Sequence, residues 1–173
     1  MQLYKFTVED KSYKNYKILF NNKTEVDMKV DFNKYKLFHE DRFDLEDGNI
    51  KNIFSPMKQQ KHLSGILVLS ENKTYGRCGK KMLHKCVPDS KYLPIFLIPY
   101  KVKKAFDKNK KNIYVTFAID HWNHKHPYGR LVNTIGPVDV LVNYYEYQLY
   151  CKSLNASIQK FTKDTSKRMK MKT

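Results

Sequence analysis

Apolar residues in the first sixty positions come in strand-length runs, LYKFTV, YKILF, VDMKVDF and YKLF, separated by polar clusters such as EDKSYKN and NNKTE. Four or so short strands of this kind predict a small barrel or part of one. The acidic run HEDRFDLEDGNI follows, with the spacing of a loop or helix. Its carboxylates lack the alternating Asp/Asn pattern and central glycine of an EF-hand, so a calcium site is not expected. Ser55-Pro56 and MKQQKH then read as a linker.

From Leu63 the pattern sharpens into five strands: Gly65 to Leu69, Met82 to Val87, Ile95 to Ile98, Ile113 to Ile119 and Arg130 to Ile135. Five is the strand count of an OB barrel. Pro88, Pro94 and Pro99 are expected to bound the third strand, since proline cannot donate to a ladder. Pro127 and Gly129 are expected to set the bend before the fifth. Lys101 to Lys111 carries six lysines in eleven positions and reads as a solvated connector. A helix is predicted from Asp139, its candidate N-cap, with Val138, Val142, Tyr145 and Leu149 on the face that packs on the barrel. Tyr144 and Tyr147 are then left for contact with another domain. Beyond Gln159, FTKDTSKRMKMKT has like charge and no apolar period, which predicts disorder.

Composition narrows the class. With 173 residues, 41% hydrophobic and 14% aromatic, the chain can bury a core. A formal net charge of +16 predicts an anionic partner, because lysines and arginines that neutralise phosphates release condensed counterions. Asn, Lys, Ile and Tyr are also the residues of A+T-rich codons, but such drift would spread the charge evenly. Instead, residues 1–60 hold 11 basic against 10 acidic groups, 61–138 hold 15 against 4, and 139–173 hold 7 against 3. Three cysteines make no disulfide framework, and neither an N-terminal apolar signal nor a membrane-spanning run is present, so a cytoplasmic location is expected.

Candidate chemistry concentrates in the same middle segment. Lys73, Tyr75, Arg77, Lys80, Lys81 and Lys85 lie on and beside one predicted hairpin; His124, Lys125, His126, Tyr128 and Arg130 surround the later turn. Basic groups interleaved with aromatic faces are what single-stranded nucleic acid requires, one for phosphates and the other for bases. Trp122 joins this set, although a lone Trp after a strand more often packs than stacks a base. Cys78, His84 and Cys86 with His121, His124 and His126 offer zinc-ligand types, but C-x5-H-x-C is not knuckle spacing, so no metal is expected. Neither Cys78 nor Cys151 has a local base or oxyanion signature, so no catalytic residue is assigned.

The order LSGILVLS, TYGRCGKKMLHKCVPDSKYLP, NIYVTFAID, then W-x5-Y-G-R-x-V-x-x-I-G and a Tyr-rich helix resembles the second cold-shock (OB-fold) domain of the ribonuclease II / ribonuclease R exoribonucleases, especially divergent copies in large DNA viruses. The likeness covers Leu63 to Ser157 and weakens over Met1 to Lys61. It implies a mainly all-β chain of two OB or cold-shock-like barrels, 1–60 and 61–138, followed over 139–173 by a helix and basic tail. Glu40-Asp41 would stand where the first barrel of that family has a Gly-Asp turn. The resemblance further implies single-stranded RNA as partner, with host cytoplasm or virion as location. The family's Asp-rich catalytic metal site has no counterpart here, so binding without hydrolysis and without a cofactor is expected. Two rivals stay open: an RNA exonuclease or a subunit of one, whose catalytic domain lies on another chain, met through the Tyr-rich helix, or is lost from this one; and a basic nucleic-acid-packaging or structural protein.

Overall fold

Alternation of apolar and polar residues makes the first strands. In Tyr4–Val8 (β1) the side chains of Phe6 and Val8 point into a core that also takes Ile18 from Tyr16–Phe20 (β2). Thr24–Val26 (β3), Arg42–Glu46 (β4) and Asn49–Phe54 (β5) complete an antiparallel sheet in the order β3-β2-β1-β4-β5. The computed structural model describes residues 3–102 and 110–153, so the expected disordered tail and most of the lysine-rich connector lie outside the described residues. The chain is mainly β and divides into two compact units, Met1–Gln59 with Lys91–Leu93 and Gln60–Ser90 with Pro94–Leu154.

Two of the four strand runs expected in the first unit are not strands. VDMKVDF gives only Val26 to β3 and otherwise lies, with YKLF, in an irregular stretch, yet Val30, Leu37 and Phe38 are buried there. Val30 and Leu37 are apolar because they cover the sheet, not because they pair within it. The stretch is held by local bonds: Val30 N–H donates to the Tyr16 hydroxyl (3.0 Å), and Asp31 accepts from Asn33 and Tyr35. The missing strands come from the acidic run, which is a hairpin, not a loop or helix. Asp47 and Gly48 have φ of 53° and 78°, the positive pair that a two-residue type I′ turn needs. Among the described residues no ladder joins β3 to β5, so a closed ring is seen only in the second unit. The expected linker contains one helical turn, Pro56–Gln59 (α1), with Ser55 Oγ accepting the Lys58 N–H and Pro56 in the first turn where no donor is needed.

The second unit is a closed five-strand barrel. Leu63–Leu67 (β6) pairs with Lys81–Pro88 (β8) and Ile113–His121 (β10); β8 pairs with Phe96–Tyr100 (β9); β9 runs parallel to Tyr128–Pro137 (β11); and β11 returns to β10. Arg77–Cys78 (β7) is a short ribbon added to β8. All five predicted strands are present with ends shifted by a few residues. Phe117, Phe96, Ile98, Leu63 and Leu67 fill the interior. Two glycines make room for the Phe117 ring. A Cβ on Gly65 would stand 2.9 Å from Cys86 Sγ and 3.0 Å from that ring, and one on Gly129 3.0 Å from it. Gly129 therefore sits inside β11 for packing instead of setting the bend before it. Pro99 likewise falls inside β9, opposite Leu83. The Leu97 N–H points toward the β11 side, at Pro127, so Pro99 two residues on faces that same side, where β11 no longer pairs and no bond is lost.

The C-terminal helix, α2 (residues 141–153), is present but rolled away from the predicted face. Tyr147 (4% exposed) and Cys151 pack against the barrel, with Tyr147 stacked on Tyr114 at 4.5 Å and Ile66, Ile135 and Val138 around them. Val142, Tyr145 and Leu149 are 71%, 60% and 66% exposed. The turn into the helix sets this roll. Gly136 has φ of 146° and lies so close to Asn143 that a Cβ would clash with its amide, whose nitrogen donates to the Pro137 carbonyl at 3.0 Å. With Asn143 pinned, the positions four and eight residues on, Tyr147 and Cys151, must face the barrel. Asp139 is not the N-cap. The Val140 carbonyl accepts from Asn143 and Tyr144, while the Asp139 carboxylate pairs with Lys111. Among the described residues no helix is long and apolar enough to cross a membrane.

Candidate nucleic-acid interface

Strand register assembles the site. Lys85 on β8 lies opposite Leu97 on β9, Leu97 opposite Tyr128 on β11, and Tyr128 opposite His121 on β10. Their chain neighbours Cys86, Phe96, Ile98 and Gly129 face the interior, so the row Lys85–Leu97–Tyr128–His121 has the outward parity, although Leu97 itself is covered and only 7% exposed. Arg130, exposed and two residues beyond Tyr128, extends the same face.

Around this row the turn 122–127 adds its own groups. The Tyr128 ring lies 4.8 Å from the His121 ring and 6.5 Å from that of His124, a three-ring cluster. His121 Nδ1 is 3.3 Å from Asp120 Oδ2. His126 is half-buried, and its imidazole is held below the usual histidine range first by burial and then by the nearby Lys125 and Lys85 charges, against a hydrogen bond to the Ile95 backbone. Lys125 and His124 are exposed, and Trp122 is half-buried.

The predicted hairpin residues form a second group. Tyr75 N–H donates to the Leu83 carbonyl (2.9 Å) and Leu83 N–H to that of Gly76 (2.8 Å), which carries the ribbon back along β8. Gly79 opens the two-residue turn with φ of 63°, the position where type II′ geometry asks for glycine. Lys73 Nζ sits 5.2 Å from the Tyr75 ring centre. Arg77, Lys80 and Lys81 are exposed at the tip. Asn112 Oδ1 accepts from Leu69 and Ser70, anchoring the loop's base. The fold thus brings Lys85, Lys125, His126 and Tyr128 together, while Lys81 stands about 13 Å along the strand from Lys85 at about 3.3 Å per residue. His121 and Leu97 belong to the row but escape a reading by residue type. Their signal is the outward parity they share with Tyr128 and Lys85, and it becomes visible only once pairing is known.

The remaining candidates are dispersed. Cys78 is exposed at the hairpin tip, Cys86 is in the barrel core, and His84 is buried with its ring edge toward Tyr100. Burial pushes the Cys151 thiol up to about 11, which keeps it protonated at neutral pH and unreactive. No group of three His, Cys, Asp or Glu among the described residues is placed to hold a metal.

A second polar concentration lies in the first unit and faces inward. Lys5, His39, Asp41 and Arg42 are buried beside a partly buried Glu40, whose φ is 69°. Val8 N–H donates to His39 Nδ1 (3.0 Å), which leaves the Nε2 proton for Glu40 Oε1 at 3.3 Å; Lys5 Nζ is 3.4 Å from Glu40 Oε2. The His39 ring stacks on Tyr92 at 4.0 Å. Burial pushes the Asp41 carboxyl up to about 7, opposed by Ser55 and by the Phe38 N–H that donates to it at 2.8 Å. Lys5, His39, Glu40 and Asp41 bond one another or the backbone around a left-handed turn and face mostly inward. No protein-family model matches the sequence, and no curated protein is significantly similar to it.

Proposed function

We propose that the second unit is an OB-fold module that binds single-stranded RNA with little sequence preference, of the kind found ahead of the catalytic domain in ribonuclease II / ribonuclease R enzymes. The observation that carries this is the ring order β6-β8-β9-β11-β10 with its parallel β9–β11 closure. Numbered within the barrel, that is strands 1-2-3-5-4, and in OB folds the strand 2–3 face with the 1–2 and 4–5 loops takes oligonucleotides. Lys85 and Leu97 lie on that face, Lys73 to Lys81 on the first loop, and Trp122 to Pro127 on the other, leading into Tyr128. Tyr128 and Tyr75 supply stacking surfaces for bases, and the lysines and Arg130 supply charge for phosphates.

Filter binding of single-stranded RNA, single-stranded DNA and duplex at two salt concentrations tests it. The single-strand affinity should fall with a log–log slope near −0.7 for each phosphate contacted. Replacing Tyr128 by Leu should weaken binding by about 1–3 kcal/mol with the slope unchanged. A slope worth one contact or none, or equal affinity for duplex, rejects the reading.

A second reading, a subunit that works with a catalytic domain on another chain, is favoured by one feature: the exposed apolar stripe Leu141, Val142, Tyr145 and Leu149 on α2. Co-expression with a candidate catalytic chain, followed by Tyr145→Lys, would separate the readings. Loss of the complex with RNA binding intact supports the subunit.

A further inference from the structure

His126 is the one described histidine whose surroundings join the outer row to a pair of lysines. Its turn meets β9 through the Leu97 N–H, which donates to the Pro127 carbonyl at 2.9 Å. On its own loop it adjoins Lys125. From β8 it feels Lys85, and from the segment before β9 it meets the Ile95 backbone. The next residue but one is Tyr128, the ring at the centre of the aromatic cluster. Among the described residues no carboxylate acts on it; Asp120 is engaged with His121.

This arrangement has a consequence for ligand binding that rests on the RNA-binding reading above. A half-buried imidazole with the charges of Lys125 and Lys85 nearby is poor at holding a proton, because burial and the neighbouring positive charges both disfavour the imidazolium. A phosphodiester arriving between Lys85 and Lys125 reverses that balance. It neutralises the lysines and gives the imidazolium an anionic acceptor, while the bond to the Ile95 backbone orients the ring. We propose that His126 is a proton-linked phosphate ligand: on binding a single-stranded polynucleotide, its neutral imidazole takes one proton from solvent and donates the new N–H to a backbone phosphate beside the base on Tyr128.

The sign follows from linkage. The free imidazole is held low and the complex raises it, so binding takes up a proton and affinity strengthens as pH falls through the complex's titration range, levelling off below the free one. The coupling is reciprocal: the factor by which phosphate favours the proton is the factor by which the proton favours phosphate. With one proton linked, affinity changes by about tenfold per pH unit at most.

The test uses the full chain and a labelled oligouridylate at fixed ionic strength between pH 5.5 and 8. Calorimetry in two buffers of different ionisation enthalpy counts the protons. Uptake approaching one proton is expected for the wild type, abolished by His126→Gln and retained by His62→Gln, an exposed histidine outside the face. Should His126→Gln disturb the fold, titration of the His126 ring protons by NMR with and without oligonucleotide replaces it, and the midpoint should rise on binding. RNA binding without proton uptake, uptake that survives His126→Gln, or an unmoved midpoint overturns the proposal while leaving the RNA-binding function intact. No binding to the oligouridylate at any pH overturns both.

Discussion

In the first unit Lys5, His39, Asp41 and Arg42 are turned into the protein around Glu40; in the second none of the described lysines is buried, and the barrel is filled by Phe, Leu, Ile and Cys with His84 beside them. The net charges differ as well: residues 1–60 carry nearly equal numbers of each sign and 61–138 a large excess of basic groups. Buried ionisable groups have to compensate one another, because an unpaired charge away from water is costly. Exposed charges face no such constraint. They accumulate at the cost of mutual repulsion, which a polyanion relieves. The contrast teaches that ionisable groups cluster inward around Glu40 in the first unit, whereas in the second the basic groups described around Tyr128 and at the β7–β8 hairpin lie on the surface.

The sharpest way to break the comparison is through the apolar interior. Phe117→Ala empties the centre of the barrel and should cost about 3–5 kcal/mol. Trp122, the chain's single tryptophan, lies in the second unit and reports it: the urea midpoint followed by its fluorescence should drop. An unchanged midpoint would mean that the ring does not hold the barrel together. Next comes the roll of α2. Tyr147→Ala, at the buried face, should destabilise the second unit by about 3 kcal/mol, whereas Tyr145→Ala should stay within about 0.5 kcal/mol. The reverse order would restore the face predicted from spacing.

The last test concerns the inward-facing charges. Asp41 has its carboxyl raised in the folded state, so the native protein keeps a proton that the unfolded chain has lost between pH 4 and about 7, and stability falls as pH rises through that window. Asp41→Asn removes the titration while keeping an acceptor for the Phe38 N–H. Relative to wild type, the variant should gain on the order of 3 kcal/mol in the first unit on going from pH 4.5 to 7.5. Hydrogen exchange of the Phe6 and Ile18 amides at the two pH values measures it, and parallel curves for both proteins would show that Asp41 titrates normally.

Much of the barrel was legible in advance because a strand with one covered face alternates visibly, as in β8, or runs apolar where both faces are covered, as in β10. The hairpin in the acidic run has a local signal too, since Asp47-Gly48 between alternating residues is a turn pair, although the dense carboxylates around it resemble those of a loop. The basic and aromatic residues around Tyr128 announced themselves by type.

The sequence by itself determined the strand positions of the second unit, the excess of basic groups there and the presence of a helix after Gly136. Only the tertiary structure decided which faces are covered. Periodicity defines a stripe but not its partner, so Val142, Tyr145 and Leu149 satisfied the pattern while Gly136 and Asn143 rolled Tyr147 and Cys151 inward. Val30 and Leu37 are core residues without a strand, because burial requires only an apolar side chain over the sheet and not a ladder beneath it. Lys85, Leu97, Tyr128 and His121 lie in one row because β9 pairs with β11 in parallel, a long-range contact that no local pattern in the chain encodes.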